Sequence, residues 1–287
     1  MSNNSKQWSS ANPGYIIFLI DQSGSMGEDY AEGKKKAEYT AMVINSTINE
    51  IIMSCMDGDK IKDRVFISLI GYGGNGGNSV DDIRSDYVSA FGDFPIRLEK
   101  VRKKISNGAG GLVEIEEDMP IFLEPVSNGL TPMGEAFKFA KQLIEGWMQR
   151  KPNNPAPVII NISDGFPYNG NQNNPKEEEL KAIEEAKLIM DIETEDGHPI
   201  IFNVHIGTQG KECIFSASES ELEDGESVFL FKVSSIIPDE YKKSAAKYDI
   251  AIKQNGKGFI SNARPENLIK LINIGTSGTG GADKTSF

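Results

Sequence analysis

The segment YIIFLIDQSGSMGED, residues 15–29, gives the strongest indication of the architecture of this chain. Its first six residues are apolar without interruption, and Asp21 and several turn-forming residues follow at once. This pattern is typical of a short strand that is buried on both faces, as in parallel sheets covered by helices. The same segment places a carboxylate and the hydroxyls of Ser23 and Ser25 together where the strand ends.

The rest of the chain alternates the patterns of buried strands with those of amphipathic helices. Apolar runs predict further strands at 63–73, 156–163, 199–207 and 227–233. Apolar residues at spacings of three and four predict helices at about 29–55, from 131 onward, and at 176–191, 240–248 and 265–274. The alternation predicts an α/β fold with a doubly wound, mostly parallel central sheet and helices on both faces.

The predicted domain organisation has three parts. A polar, flexible leader covers residues 1–13, one domain covers 14–274, and a disordered tail rich in glycine, serine and threonine covers 275–287. Residues 74–126 fit the alternation poorly, so we expect an irregular insertion at the edge of the sheet. Within it, residues 98–105 have a helical pattern.

Composition argues against several classes of function. The chain has 30 lysines and arginines against 42 aspartates and glutamates, a formal net charge of −12, which disfavours nucleic acids and anionic membranes as partners. It contains no apolar run long enough to span a bilayer, and its start lacks the pattern of a secretory signal. We therefore expect a soluble, cytoplasmic protein. Cys55 and Cys213 are expected to be free thiols, and the basic runs at 34–36 and 102–104 are expected to be solvated helix faces.

Two later segments resemble parts of the same oxygen-rich site. GLTPMGEAF brings Thr131 to the start of a predicted helix, and VIINISDGFP ends a predicted strand in Asp164. Ligands of such sheets bind beyond the carboxyl ends of the strands, near a topological switch point. Dense oxygen donors suit a hard divalent cation, above all Mg²⁺. The predicted metal-binding residues are Asp21, Ser23, Ser25, Thr131 and Asp164.

Each of these pieces also has a plainer interpretation. Asp, Ser and Gly after a strand favour an ordinary turn, and Thr131 before Pro132 fits a helix N-cap. Asp164 followed by glycine is a common turn signal. The glycines between Gly71 and Gly76 match a dinucleotide-binding pattern, but a lone match is weak and a rim loop is the preferred interpretation. Only the joint occurrence of the pieces favours a metal site.

Together the segments resemble the metal-ion-dependent adhesion site (MIDAS) of von Willebrand factor type A (VWA) domains. DQSGSM at 21–26, TPMG at 131–134 and SDG at 163–165 follow that family's order of an Asp-x-Ser-x-Ser run, a distant Thr and a distant Asp. The resemblance spans about residues 14–275. Within the family the chain looks most like intracellular bacterial members, such as those associated with tellurium resistance and hence with stress response.

The resemblance implies a Rossmann-like fold and a function without catalysis. In that family's pattern, Ser23 and Ser25 would coordinate Mg²⁺ directly, and Thr131 directly or through water. Asp21 and Asp164 would lie close in, partly through bridging waters; Mn²⁺ and Ca²⁺ are alternative ions. An Asp or Glu from another protein would complete the coordination. The implied function is a metal-dependent protein–protein interaction module, in which Asp21→Ala or Ser23→Ala weakens partner binding and leaves the fold intact.

An enzyme is the main alternative. Haloacid-dehalogenase-type phosphatases also place an aspartate at the end of the first strand, so Asp21 could be the nucleophile of a Mg²⁺-dependent phosphatase or phosphotransferase. Those enzymes usually carry a second aspartate two residues on, where this chain has Ser23, and they need a lysine that the sequence does not identify. A third interpretation is a scaffold that binds its partners elsewhere, for example at 74–126.

Overall fold

A computed structural model describes residues 4–106, 112–207 and 211–276. The strands in these ranges are β1 Gly14–Asp21, β2 Asp29–Ala31, β3 Lys34–Lys35, β4 Met56–Asp57, β5 Lys60–Ile61, β6 Val65–Tyr72, β7 Val80–Tyr87, β8 Arg97–Ser106, β9 Leu112–Ile121, β10 Val158–Ser163, β11 Ile200–His205, β12 Cys213–Ile214 and β13 Phe259–Ser261. The α-helices are α1 Lys36–Ser54, α2 Val88–Asp93, α3 Met133–Arg150, α4 Glu177–Met190, α5 Gly225–Val233, α6 Asp239–Ala246 and α7 Pro265–Thr276.

The central sheet has seven strands in the order β12-β13-β11-β10-β1-β6-β7. β1 pairs in parallel with β10 on one side and with β6 on the other, and β11 and β13 extend the parallel part. The two edge strands, β12 and β7, are antiparallel to their neighbours. The chain runs outward from β1 through β6 and β7 and then returns to the opposite side of β1 as β10. The topological switch point therefore lies between β1 and β10, where such sheets bind ligands.

Helices cover both faces of the sheet because successive residues of a strand point to opposite sides. On one face, Ile16, Phe18 and Ile20 of β1 pack in a cluster with residues of α1, α6 and α7. On the other face, Ile17 and Leu19 pack with residues of α3, α4 and α5. The predicted α/β fold, with a doubly wound, mostly parallel sheet between two layers of helices, is confirmed.

Residues 74–126 are more regular than predicted. They form the edge strand β7, the short helix α2 and the two-stranded hairpin of β8 and β9. The predicted helix at 98–105 is wrong, because these residues belong to β8. Lys100 lies opposite Asp118, and Arg102 lies opposite Glu116 with a salt bridge of 3.3 Å. Cross-strand pairs of opposite charge stabilise a hairpin, and a helical count along one segment cannot detect them.

The strand predicted at 227–233 is also wrong, because this segment is helix α5. The Asp224 side chain caps the helix, with Oδ1 accepting a hydrogen bond of 2.6 Å from the Ser227 amide. Aspartate at the N-cap stabilises a helix by about 1 kcal/mol, and the helix buries Phe229, Leu230 and Val233 in the core. The strand that pairs beside β11 is instead β13.

The leader predicted at 1–13 contacts the domain over its described part. The amides of Ser5 and Lys6 donate hydrogen bonds of 2.9 and 2.8 Å to Asp196 Oδ1, and the amide of Ala156 donates one of 3.1 Å to Oδ2. Trp8 packs partly buried against the core. Gly275 and Thr276 of the predicted tail belong to α7, and residues 277–287 lie outside the described residues.

We expect Asp196→Ala to release the N-terminal segment and to lower the free energy of unfolding by about 2–4 kcal/mol, because three amide donors lose a charged acceptor. Urea denaturation and limited proteolysis after Lys6 would measure the two effects. The neighbouring Glu195→Ala is the matched control, since the Glu195 side chain is 61% exposed and its pair with Lys6 lies at the surface. If the two variants had the same free energy of unfolding and the same rate of proteolysis, the role given to Asp196 would be contradicted.

Both cysteines are free, as the composition predicts. Cys55 is buried and Cys213 is half-buried. Among the described helices, none is long and apolar enough to cross a bilayer.

Candidate metal centre

Asp21 ends β1 at the switch point, and it is only 1% exposed. Its Oδ1 accepts a hydrogen bond of 2.8 Å from the Ser23 amide, and its Oδ2 accepts one of 2.6 Å from the Ser163 hydroxyl. Burial raises the pKa of Asp21 to about 6; the Ser163 hydrogen bond opposes this rise and the charge of Asp164 adds to it. A nearby cation would favour the ionised form of this carboxylate.

A chain of hydroxyl contacts links the ends of β1 and β10. Ser23 Oγ lies 3.1 Å from Ser25 Oγ, and Ser25 Oγ donates a hydrogen bond of 2.7 Å to Asp164 Oδ1. Both serines lie in the turn after β1, which includes a short 3-10 helix at Gly24–Gly27. Neighbouring oxygens around Mg²⁺ are about 2.9 Å apart, because bonds of about 2.0–2.1 Å meet at right angles. The spacing of this oxygen set is that of ordinary hydrogen bonds, and it is also compatible with ligands around Mg²⁺.

Thr131 reaches the same edge on the loop before α3. The Gly24 amide donates a hydrogen bond of 2.9 Å to the Gly129 carbonyl, which holds this loop beside the serine turn. The backbone of Thr131 exchanges two hydrogen bonds of 2.9 Å with Tyr168. Thr131 is not the N-cap of α3, because the helix begins at Met133 after Pro132. The structure thus joins four of the five predicted residues by hydrogen bonds and places Thr131 on the adjacent loop.

Two glycines allow these loops to approach each other. Gly73, which follows β6, has a φ of +80°, and a Cβ atom there would lie 1.9 Å from the Leu130 carbonyl oxygen. A Cβ atom at Gly129 would lie 2.0 Å from the Gly73 carbonyl oxygen. The loop after β6 therefore packs backbone to backbone against the loop that carries Thr131, which agrees with a rim loop rather than a dinucleotide cradle.

Lys36 is a residue of the centre that the sequence pattern did not reveal. Its side chain is 5% exposed, and its Nζ donates hydrogen bonds of 2.8 Å to Asp164 Oδ2 and 2.7 Å to Glu28 Oε2. The prediction of a solvated face at 34–36 is therefore wrong for Lys36. The first helix begins at Lys36 rather than near Asp29, because the residues between them form the β2–β3 hairpin.

The position of Lys36 could not be read from local periodicity. Asp164 lies 128 positions further along the chain, so the ion pair arises only when folding brings the start of α1 to the end of β10. Burial alone would lower the pKa of Lys36, but its hydrogen bonds with Asp164 and Glu28 raise it, so the ammonium stays charged.

Ser163 and His205 donate hydrogen bonds to the two aspartates of the centre. Ser163, the last residue of β10, donates to Asp21, and the motif SDG was a signal that could have identified it. His205 ends β11, and its Nδ1 accepts a hydrogen bond of 3.2 Å from the Asn262 amide. Its Nε2 therefore carries the proton and donates to the Asp164 carbonyl at 3.2 Å. Burial lowers the pKa of His205, which favours this neutral form.

Hydroxyl groups are essential to any cation site in this centre. Across residues 4–106, 112–207 and 211–276, no group of three or more His, Cys, Asp and Glu side chains is arranged to hold a metal ion. The two carboxylates of Asp21 and Asp164 would need the serine and threonine oxygens to complete a ligand set. Such a set is hard, oxygen-only and weakly charged, which suits Mg²⁺ better than softer transition metals.

No protein-family model and no curated protein matches the chain. Among solved structures, the von Willebrand factor domain of the type V pili tip protein Mfa5 from Porphyromonas gingivalis is similar, with 10% identity, a TM-score of 0.48, and coverage of 96% of this chain and 98% of that chain. The minor pilin PilB from Streptococcus sanguinis has 10% identity, a TM-score of 0.46, and coverage of 91% and 60%.

Larger adhesins are also similar over part of their length. A structure of three N-terminal domains of Mfa5 has 15% identity and a TM-score of 0.33 over 54% of this chain and 20% of that chain. The pilus adhesin RrgA from Streptococcus pneumoniae has 15% identity and a TM-score of 0.30 over 56% and 21%. The chain thus spans about a fifth of these two structures. At such TM-scores the geometry of the centre, and not the similarity, has to support a function.

Proposed function

We propose that this chain is a metal-dependent protein-binding module of the VWA type. Its MIDAS would hold Mg²⁺, or alternatively Mn²⁺ or Ca²⁺, and another protein would supply an Asp or Glu carboxylate to the ion. The observation that carries the proposal is the hydrogen bond between Ser25 and Asp164, which joins the ends of β1 and β10 at the switch point. The residues proposed to hold the metal are Asp21, Ser23, Ser25, Thr131 and Asp164.

In this proposal the two aspartates orient the site, and the hydroxyls are ligands of the ion. Asp21 orients the serine turn by accepting the Ser23 amide, and Asp164 orients the Ser25 hydroxyl. Neutral hydroxyl ligands leave more of the ion's charge unneutralised than carboxylates would. When bound, the ion would therefore supply a strongly electrophilic position for a carboxylate from the partner.

Catalysis by Asp21 gains no support from the geometry. Both carboxylate oxygens accept hydrogen bonds from the protein, and the residue is buried, whereas a nucleophile needs an oxygen that can approach substrate. We therefore propose a module without enzymatic activity, and the cytoplasmic location stays a prediction from the sequence. Hydrolysis of an aryl phosphate in Mg²⁺ that is lost in Asp21→Asn would favour the phosphatase instead.

We expect Ser25→Ala to weaken the binding of Mg²⁺ and Mn²⁺ by about tenfold or more, because one oxygen ligand and the orientation of Asp164 are both lost. Calorimetry would measure the affinity for Mg²⁺. The electron paramagnetic resonance signal of free Mn²⁺ would measure the affinity for Mn²⁺. The matched control is Ser10→Ala, which removes an exposed hydroxyl before the start of β1, whereas the centre lies at the other end of that strand. Unchanged affinity in Ser25→Ala would contradict the proposed site.

The carboxylate part of the proposal has its own test. Acetate is a small probe of the position that a partner's Asp or Glu would take. We expect acetate to lower the water-proton relaxation caused by protein-bound Mn²⁺, because it displaces a water molecule from the ion. Chloride at the same ionic strength is the control. A pull-down in Mg²⁺ against EDTA, repeated with Ser25→Ala, would then isolate candidate partners.

A further inference from the structure

The burial of Lys36 is costly in this position. Lys36 is the first residue of α1, where the helix dipole is positive and a cation is unfavourable. Its side chain is also 5% exposed, and removing an ammonium from water costs several kcal/mol unless partners offset it. The ion pairs with Asp164 and Glu28 offset this cost. The ammonium of Lys36 is therefore held by the carboxylates at the candidate metal centre, and not by groups of α1.

The ion pair divides the oxygens of Asp164 between two roles. Oδ2 accepts from the ammonium of Lys36 at 2.8 Å, whereas Oδ1 accepts from the hydroxyl of Ser25 at 2.7 Å. A metal ion held beside Ser25 would therefore be separated from the ammonium by the width of a single carboxylate. Two cations at this separation repel each other appreciably even when the effective dielectric constant is high.

The charge near the ion is correspondingly low. Asp21 and Asp164 contribute two negative charges, and Lys36 cancels one of them, while the hydroxyls of Ser23 and Ser25 are neutral. The exposed Glu28 partly compensates the lysine from the solvent side, since its side chain is 65% exposed. A carboxylate arriving from outside would restore the missing negative charge next to the ion.

We propose that Lys36 acts as a tethered cation that weakens metal binding, so that the metal and an external carboxylate bind cooperatively. This inference rests on the proposed function, because it concerns the same centre. Lys36 orients Asp164 and sets its effective charge without being a ligand itself. Since coupling between two ligands is reciprocal, the same lysine strengthens the dependence of partner binding on the metal.

Two substitutions test this inference, one that removes a positive charge near the centre and one that removes a negative charge. We expect Lys36→Met, which keeps the apolar stem, to tighten Mn²⁺ and Mg²⁺ binding at pH 7.5 by about tenfold, equivalent to about 1.4 kcal/mol. We expect Glu28→Gln to weaken binding by about two- to threefold, because the lysine loses its solvent-side partner. Non-specific damage to the centre would weaken binding in both variants, so the opposite directions are diagnostic.

The cooperativity is measured with acetate as the external carboxylate. In the wild type, acetate is expected to increase Mn²⁺ affinity, and this increase is expected to shrink in Lys36→Met, because the metal no longer lacks negative charge. Lys36→Arg keeps the charge and should behave like the wild type. If Lys36→Met does not fold, Lys36→Gln gives the same test, since its amide still donates to Asp164 without a charge.

Thermal unfolding supplies a second readout. In EDTA, Lys36→Met is expected to melt below the wild type, because the Asp164 side chain, 1% exposed, loses its counter-ion. Saturating Mg²⁺ should raise its Tm by more than it raises that of the wild type. A wild type that binds no divalent ion overturns the proposed function as well. A wild type that binds Mn²⁺, with Lys36→Met binding equally or more weakly, overturns the role of Lys36 alone.

Discussion

Replacing Asp21 by asparagine is expected to lower the affinity for Mg²⁺ and Mn²⁺ by about a hundredfold or more, because the ion loses a nearby full charge in a buried setting. The fold should survive. In Asp21→Asn the new side chain keeps a carbonyl oxygen for the Ser23 amide, and its amide group can donate to Ser163 Oγ. The Ser163 hydroxyl can then donate to the Gly165 carbonyl, which lies 3.2 Å away.

The same variant is expected to be more stable than the wild type without metal. The pKa of Asp21 is raised to about 6 in the folded protein by burial, against about 3.9 in an unfolded chain. The folded state therefore holds the proton more tightly, and the wild type loses stability as the pH rises from about 4 through 6. At pH 7.5 in EDTA, we expect Asp21→Asn to gain on the order of 2 kcal/mol.

Urea denaturation in EDTA at pH 7.5 and pH 5 measures this effect. The advantage of Asp21→Asn should be large at pH 7.5 and should shrink at pH 5, where the wild-type carboxyl becomes largely protonated. Asp59→Asn is the control, because it replaces an exposed carboxylate by the same amide. A variant less stable than the wild type at pH 7.5 would show that the Asp21 charge is already compensated within the protein.

Asn161→Ala is expected to cause the largest loss of stability, about 3–5 kcal/mol. Asn161 lies in the middle of β10, two residues before Ser163, and is fully buried. Its Oδ1 accepts a hydrogen bond of 2.9 Å from the Tyr72 hydroxyl, and its Nδ2 donates one of 2.9 Å to Asn203 Oδ1. The substitution removes the acceptor of the Tyr72 hydroxyl and the donor to Asn203 Oδ1, and it leaves a cavity beside them in the core.

A double-mutant cycle with Tyr72→Phe separates the hydrogen-bond loss from the cavity. Burial raises the pKa of Tyr72 well above its ordinary value, so its hydroxyl is a donor throughout the working pH range. We expect Tyr72→Phe to cost clearly less in the Asn161→Ala background than in the wild type, because the hydroxyl has then already lost its acceptor. Additive costs in urea denaturation, or a total loss below about 1 kcal/mol for Asn161→Ala, would contradict this network.

Much of the fold was predictable because its signals are local. The apolar run at 15–20 followed by Asp21 predicted β1, and the run ending in Asp164 predicted β10. The topological rule for parallel sheets then brought the two aspartates to one edge without any coordinates. The proposed metal residues were predicted in the same way, from segments that each follow a strand or precede a helix.

The failures occurred where contacts outside a segment control its structure. Residues 98–105 have helical spacing, yet pairing with β9 makes them a strand. Residues 227–233 have strand propensity, yet the cap from Asp224 and packing against the core favour a helix. In both cases a contact outside the segment outweighs a weak local preference.

Which strands end in oxygen donors follows from the amino-acid order alone, because apolar runs and turn residues are properties of neighbouring positions. Which charges surround those donors depends on how the chain folds. Lys36 lies next to Asp164 because folding brings the start of α1 to the end of β10, and the loop of Thr131 lies beside the serine turn because the Gly24 amide donates to the Gly129 carbonyl. Coulomb energy depends on distance in space and not along the chain, so the electrostatics of the centre emerge only on folding.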